Sequence, residues 1–195
     1  VGLQAYIPAI NTSGAQMEDI TISLNNQHQE LDLSIYLLNH LPKHNPTAAK
    51  IGDVKTNIRM HANNDALDLQ VELGNTDSVR NEGVIHVASQ LSKYKKKPRF
   101  DITVVPTNIV LNDSAWNIGE AKISYALADH TMDIDNFSLS TDYQSITANG
   151  RGSRLSSDSI DITLNNINLD YLLSYTEASK AISIMGPVTG NAKVY

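Results

Sequence analysis

The sequence predicts an all-β protein built from an antiparallel meander of short strands. Apolar and polar residues alternate with a period of two over much of the chain, and residues that favour tight turns separate the alternating stretches. The clearest stretch is Asp19-Ile20-Thr21-Ile22-Ser23-Leu24, which puts its aliphatic residues on one face of a strand and its polar residues on the other. Because each strand has one polar face, the sheet is not the doubly buried parallel kind.

The strands are predicted in chain order from the same alternation. After the first stretch they are Leu31-Asp32-Leu33-Ser34-Ile35, Ala66-Leu67-Asp68-Leu69-Gln70-Val71, Ile85-His86-Val87, Phe100-Asp101-Ile102-Thr103-Val104, Ile109-Val110-Leu111, Ile123-Ser124-Tyr125-Ala126-Leu127, Met132-Asp133-Ile134, Ile160-Asp161-Ile162-Thr163-Leu164 and Ile182-Ser183-Ile184. Turns are predicted at Asn63-Asn64-Asp65, Ala128-Asp129-His130 and Asn149-Gly150, among other places.

Helix is predicted to be minor. One short helix is predicted over residues 35–41, where Pro42 ends it. A second is predicted to begin at Asn168 and to carry Leu169, Leu172 and Leu173 on one side.

Composition limits the functions that the chain can have. The formal net charge of −6 over 195 residues argues against nucleic acid as a partner. The sequence has no Cys, which excludes disulfides, thiolate catalysis and Cys-ligated zinc and fits an oxidising compartment. We expect the chain to be a segment of a longer protein, because Val1-Gly2-Leu3 has no initiator Met and the chain ends in strand-like alternation.

No constellation of residues indicates catalysis, a metal or another cofactor. The six histidines are scattered, and we interpret them as solvated loop residues, although His40 and His44 have the i,i+4 spacing of some metal pairs. Asp133 and Asp135 share a strand face, but paired carboxylates need a cleft before they indicate acid–base chemistry. The sequence therefore predicts a protein that is not an enzyme.

The single basic run lies at residues 93–99. It is able to contact phosphates or anionic lipid head groups, or it forms a solvated hairpin tip that discourages edge pairing, which is the interpretation favoured here. Gly150-Arg151-Gly152-Ser153 lacks the phosphate-loop pattern and indicates a β-bulge or a hairpin turn.

The aliphatic stripes allow two interpretations. They either fill the closed core of a β-sandwich or barrel, which periodicity alone favours, or line an open groove for an apolar ligand. The candidate groove residues are Ile20, Ile22, Leu24, Leu31, Leu33, Ile35, Leu67, Leu69, Val71, Phe100, Ile102, Val104, Ile123, Tyr125, Leu127, Ile160, Ile162 and Leu164.

The order of motifs in the second half of the chain resembles a known family. The motifs are Pro106-Thr107-Asn108-Ile109-Val110-Leu111-Asn112-Asp113-Ser114-Ala115-Trp116-Asn117-Ile118, Met132-Asp133-Ile134-Asp135-Asn136-Phe137-Ser138-Leu139, Gln144-Ser145-Ile146-Thr147-Ala148-Asn149-Gly150-Arg151-Gly152-Ser153, Asp161-Ile162-Thr163-Leu164-Asn165-Asn166-Ile167-Asn168-Leu169-Asp170-Tyr171-Leu172 and Gly186-Pro187-Val188-Thr189-Gly190-Asn191-Ala192. In this order they resemble the TamB family, the inner-membrane subunit of the translocation and assembly module, which belongs to the AsmA-like group. The Bacteroidetes type is the most similar.

The resemblance implies both a fold and a function. It implies a meander that curls into a taco-like open groove, or into two facing sheets, with a first β unit at residues 1–104 and a second at residues 105–195 in one continuous structure. It also implies a periplasmic segment of a protein anchored in the inner membrane, acting in outer-membrane biogenesis. Phospholipid acyl chains would bind in the groove, and the full-length chain would work with an outer-membrane barrel protein of the Omp85 type. The alternative is an extracellular or periplasmic β-sandwich that binds a ligand or acts as a spacer with a closed core.

Two serines resemble modification sites. Asp113-Ser114-Ala115 and Asp158-Ser159-Ile160 are similar to the short O-glycosylation sites of Bacteroidetes, which makes Ser114 and Ser159 candidate glycan acceptors.

Overall fold

The residues that the structure describes form fourteen β-strands. The computed structural model describes residues 2–11, 16–27, 30–40, 53–75, 79–155, 157–169 and 186–195. The strands are β1 (Gly2–Asn11), β2 (Gln16–Gln27), β3 (Glu30–His40), β4 (Asp53–Asn63), β5 (Ala66–Asn75), β6 (Glu82–Tyr94), β7 (Lys97–Val105), β8 (Thr107–Leu111), β9 (Ser114–Ile118), β10 (Ala121–Ala126), β11 (Thr131–Ser140), β12 (Ser145–Gly152), β13 (Ile160–Asn168) and β14 (Pro187–Val194).

All fourteen strands belong to one sheet, and every pairing between them is antiparallel. The sheet begins with β1 and ends with β14, and within the described residues these two strands do not pair with each other. The predicted all-β, antiparallel meander is therefore confirmed. The strands form a single hydrogen-bonded sheet rather than two separate ones.

At two neighbouring places in the sheet, two short strands lie end to end where one long strand would otherwise run. The pairing of Val104 with Ala121 and of Thr107 with Ile118 has the same register, which places Pro106 opposite Gly119. Pro106 has no backbone N–H to donate to the neighbouring strand, so neither place holds a continuous strand at this point. β7 and β8 therefore lie end to end at the first of these places, and β9 and β10 lie end to end at the second. The sheet continues across this break, where the boundary at residues 104 and 105 was predicted.

The helix predicted over residues 35–41 is wrong. Ile35 and Tyr36 lie in the middle of β3, where they pair with Ile22 and Thr21 on one side and with Ile58 and Asn57 on the other. Pairing on both sides outweighs a weak local helix preference, and β-branched and aromatic residues suit a strand. Most of the helix predicted after Asn168, and the strand predicted at Ile182-Ser183-Ile184, lie outside the described residues.

The predicted turns have mixed outcomes. Asn64 and Asp65 join β4 to β5, and residues 127–130 join β10 to β11, as predicted. The turn predicted at Asn149-Gly150 is wrong, because both residues lie inside β12. Gly150 has a φ of 126°, and its partner Ile134 lies where the register between β11 and β12 shifts. The glycine therefore lies at an irregularity inside a strand, where a positive φ is needed.

A buried hydrophobic cluster lies at one end of the sheet. Its members are Val104, Ile109, Trp116, Ile118, Ala121 and Ile167. Ile167 belongs to β13, which pairs only with β12 and β14, whereas Trp116 belongs to β9, which pairs with β8 and β11. These two side chains share a cluster without being sheet neighbours, so the sheet must curve towards this face here. A cavity of about 140 Å³ lies between β8, β9 and β13 at the same place.

Candidate functional site: the apolar face

The pairing register brings the aliphatic residues of successive strands onto one face of the sheet. Directly opposed residues of antiparallel strands project to the same side. Ile22 pairs with Ile35, and the row continues across the next strands through Ile58, Val71 and Ile85. We call the side of the sheet that carries this row the apolar face.

Every predicted groove residue that lies in a strand belongs to the apolar face. A second row shows how far the face extends: it consists of Leu31, Ala62, Leu67, Ser89, Ile102, Ile123, Ile134, Gly150, Ile160 and Val194. Leu127 lies just after β10, in the turn to β11, where its N–H donates to the carbonyl of Pro98 at 3.1 Å. Together the two rows carry the apolar face from β2 to β14.

The sequence interpretation missed several members of this face. They are Leu3, Ala5, Ile7, Leu37, Val54, Ile58, Met60, Leu73, Ile85, Val87, Ile109, Trp116, Ile118, Met132, Ile134, Phe137, Leu139, Ile146, Ile167, Val188 and Val194. In β4 the alternating signal was present, but Thr56 interrupts the aliphatic series between Val54 and Ile58.

Burial divides the apolar face into two parts. In β2 to β5, Ile20 and Val54 are buried, while Ile22, Leu33, Leu69 and their neighbours on the face are half-buried. In β7 to β13 the face packs on itself around Trp116, which is 5% exposed, and Ile167, which is 1% exposed. The first part therefore retains apolar surface. The second part is closed around Trp116 and Ile167, although Phe100 stays exposed and Ile102 stays half-buried.

The opposite face of the sheet is polar and carries histidine–carboxylate pairs. His61 Nδ1 lies 2.7 Å from Asp32 Oδ1, and His86 contacts Asp68. The hydrogen bond with Asp32 raises the pKa of the His61 imidazole. The interpretation of the histidines as loop residues is therefore wrong for His40, His61 and His86, which belong to β3, β4 and β6.

His40 is also part of the polar face and lies between two carboxylates. Its Nδ1 is 2.7 Å from Asp53 Oδ1, and its Nε2 is 3.1 Å from Glu18 Oε2, an ion-pair distance rather than a well-directed hydrogen bond. The hydrogen bond with Asp53 raises the pKa of His40, although burial opposes the shift. His130 lies in a turn as interpreted, and His28 and His44 fall outside the described residues.

A cleft of about 640 Å³ crosses the polar face from β4 to β11. Small residues such as Ala66 and Ala88 form part of its floor, and longer side chains such as Arg99 and Lys122 stand around them. A strongly twisted sheet is saddle-shaped, so it can be concave on both faces along different diagonals. Among the described residues, no group of three or more His, Cys, Asp or Glu side chains could hold a metal ion.

The carboxylates that were considered for acid–base chemistry lie beside this cleft. Asp133 accepts a hydrogen bond from Ser124 at 3.3 Å and lies 3.4 Å from Arg151 Nη1. Asp135 is the cross-strand partner of Lys122. These are ordinary contacts of a polar sheet face, and they supply no activated nucleophile.

The two candidate glycosylation serines have different surroundings. Ser114 is exposed at the start of β9, and its hydroxyl lies 3.5 Å from the carbonyl of Asn112. Ser159 is half-buried, and its carbonyl accepts a hydrogen bond from the N–H of Arg151 at 3.1 Å. Ser114 is therefore the more accessible acceptor of the two.

The fold and its two faces define the class of this protein as a single-sheet antiparallel β protein with one apolar and one polar face. No protein-family model matches the chain, and comparison with curated proteins and with solved structures found no significant match. In the described part of the chain, no helix is long and apolar enough to cross a membrane.

Proposed function

We propose that this chain is a periplasmic segment of a TamB-like envelope-biogenesis protein and that its apolar face binds phospholipid acyl chains. The observation that carries the proposal is the strand register, which places the aliphatic side chains of successive strands side by side on one face. Rows such as Ile22, Ile35, Ile58, Val71 and Ile85 run across several strands, so an extended chain lying along the face would meet apolar side chains throughout.

The chemistry of this face suits movement of a lipid along it. Each methylene group removed from water contributes about 0.8 kcal/mol, and an aliphatic lining holds no particular methylene in place. In β2 to β5 the polar side chains on this face are few and small or neutral, as at Thr56. Acyl chains would bind without a fixed register, while the head groups would stay in water. No residue needs to act as a catalyst for this function, and we propose that the chain is not an enzyme.

The wider role rests on the sequence resemblance to the TamB family. On that basis we propose that the full-length chain is anchored in the inner membrane and works with an outer-membrane barrel protein of the Omp85 type. The single open sheet supports this proposal more than a two-sheet sandwich, because both terminal strands of the sheet have a free edge in the described residues.

A second candidate function is a spacer or binding module with a closed core. The observation that favours it is the buried cluster around Trp116 and Ile167, where the apolar face already closes on itself. If the remaining aliphatic side chains are covered in the same way, no lipid would reach them.

Photo-crosslinking distinguishes the two candidates. We would place p-benzoylphenylalanine at Leu69, on the half-buried part of the apolar face, and at Gln70, its neighbour on the polar face. The third position is Ile118, in the sealed cluster. Irradiation with phospholipid should give lipid adducts at Leu69 and few at the other two positions. Equal labelling at Leu69 and Gln70, or none at Leu69 and at a second apolar-face position such as Leu33, would exclude an acyl-binding face.

A further inference from the structure

The hairpin of β6 and β7 carries the single basic run of the chain, with five of its 15 lysines and arginines. Residues 93–99 contain four lysines and one arginine, in a chain whose formal net charge is −6. We call this segment the basic tip. β6 ends at Tyr94 and β7 begins at Lys97, so Lys95 and Lys96 are the two turn residues of a tight hairpin, as the sequence predicted.

The basic tip does not protect a sheet edge. β6 pairs with β5 and β7, and β7 pairs with β6 and β10, so both strands of the hairpin are interior to the sheet. The interpretation that these lysines discourage edge-to-edge pairing is therefore wrong, because neither strand of the hairpin is an edge strand. Another reason for the charge is needed.

The backbone of the turn is unfavourable for lysine. Lys95 and Lys96 have φ values of 49° and 65°, so both occupy the left-handed region. Two-residue hairpin turns of this kind favour Asn-Gly or Asp-Gly, and the left-handed conformation costs ordinary residues about 1–2 kcal/mol each. The turn between β8 and β9 has the same backbone, with φ values of 52° and 60°, and uses Asn112 and Asp113. Lysine thus occupies both turn positions despite the local conformational preference.

Part of the positive charge of the basic tip is not neutralised by the protein. Lys95 Nζ lies 3.2 Å from Asp129 Oδ2 and 4.9 Å from the centre of the Tyr94 ring, and Arg99 Nε lies 2.8 Å from Asp101 Oδ1. The other three lysines of the tip, which are Lys93, Lys96 and Lys97, are exposed and form no ion pair within the described ranges. Their ammonium groups remain available to a partner.

Apolar side chains stand next to these cations. Leu91 is 39% exposed and Phe100 is 38% exposed, and the two residues are cross-strand partners at the end of the apolar face. Tyr94 is 37% exposed beside the turn. Lysines together with an aromatic ring and an aliphatic side chain match the interface of a bilayer, where cations meet phosphate groups and apolar groups enter the acyl boundary.

We propose that the basic tip docks the protein onto an anionic phospholipid surface, with Lys93, Lys96 and Lys97 at the head groups and Leu91 and Phe100 in the interface. Docking in this orientation would bring the end of the apolar face to the membrane. The proposal goes beyond acyl binding by that face and holds whether or not the face carries lipid.

The deciding experiment measures vesicle binding by the variant K95N/K96G. This variant removes the unpaired charge of Lys96 and that of Lys95, and it installs the residues that the turn backbone favours. The exposed Lys95–Asp129 ion pair contributes little, so the free energy of unfolding should stay equal or rise. Co-sedimentation with vesicles of equimolar phosphatidylglycerol and phosphatidylcholine should weaken about fivefold or more, because a lysine near an anionic surface contributes about 1 kcal/mol. Wild-type binding should fall as salt is added and be weak on pure phosphatidylcholine.

The matched control is K55Q/K122Q, which removes two exposed lysines of the polar face and changes the net charge by the same amount. It should bind anionic vesicles within about twofold of the wild type, since these charges lie outside the basic tip. Equal binding by K95N/K96G and the wild type would overturn the proposal. So would an equal loss in the control, equal binding to neutral vesicles, or complete competition by inorganic phosphate at low concentration. None of these outcomes affects adduct formation at Leu69 with detergent-dispersed lipid, so the two proposals fail separately.

Discussion

His61 Nδ1 lies 2.7 Å from Asp32 Oδ1, across the pairing of β4 with β3, although the two residues are 29 positions apart in the sequence. The next strand places Asp68 opposite His61, and Asp68 in turn contacts His86 on β6. Carboxylates and imidazoles therefore alternate across four neighbouring strands of the polar face. Cross-strand pairs of opposite charge stabilise a sheet, so the pairing of β3 with β4 should depend on the protonation of His61.

The stability of the protein is predicted to fall as the pH rises from about 5.5 to about 8.5. Asp32 raises the pKa of His61, with Glu30 and Asp68 adding to the effect, so the folded state holds the proton more tightly than the unfolded chain. The resulting stabilisation is fully present below the ordinary pKa of 6.5 and is lost as the pH rises through the higher folded value. Urea-unfolding midpoints measured across this range should show a smaller decrease in His61→Gln than in the wild type.

The control for this prediction is His130→Asn. His130 lies in a turn with a φ of 56°, which Asn tolerates, and its ring contacts Tyr125 rather than a carboxylate. This variant should keep the pH dependence of the wild type. If His61→Gln and the wild type lose the same stability between the two pH values, the His61–Asp32 pair does not contribute to it.

Replacing Gly83, which lies where β6 pairs with β8, is predicted to destabilise the protein. A Cβ added there would lie 2.6 Å from Ile109 Cβ and 3.0 Å from Ile109 Cα, and the backbone of a buried neighbour cannot move aside easily. Gly83→Ala should therefore destabilise the protein by about 1–3 kcal/mol. Urea-unfolding midpoints at constant pH would measure the effect.

Gly74→Ala is the matched comparison for Gly83→Ala. Gly74 lies in β5, opposite Lys55, and an added Cβ would meet nothing within 4 Å. The substitution should be neutral or stabilise by up to about 1 kcal/mol, because it reduces the freedom of the unfolded chain. Equal effects of the two substitutions would show that β6 and β8 are not packed as described.

The sequence was sufficient to predict the fold class because its main signal is local. Alternation such as that around Ile22 or Leu69 is visible within six residues, and it predicts a half-buried strand without knowledge of any partner. The same locality explains the wrong helix over residues 35–41. Its outcome depends on β2 and β4, which flank the segment in the sequence but lie outside the short window that predicts the helix, and which pair with both of its edges.

Contacts between strands required the pairing register, which no local pattern contains. His61 and Asp32 each look like an isolated polar residue of a strand, and only the pairing of β3 with β4 brings them together. The break in the sheet shows the same limit. Pro106 is visible in the sequence, whereas its opposition to Gly119 follows from the pairing of two rows. Whether a stripe is sealed depends on curvature, which is a property of the whole sheet.

Ile167 is predicted to contribute more to stability than any exposed aliphatic residue of the apolar face. It is 1% exposed, and it shares the buried cluster with Trp116 although the two strands are not neighbours in the sheet. Ile167→Ala should lower the free energy of unfolding by about 2–5 kcal/mol, through the loss of buried methylene groups and the cavity left behind. Leu3→Ala offers a comparable truncation on β1, where the side chain is 57% exposed, and should cost less than about 1 kcal/mol. Urea unfolding with an unchanged m-value would give both numbers. Similar losses for the two variants would mean that the curved end of the sheet is not closed, and the acyl-binding surface would then have to extend past Trp116.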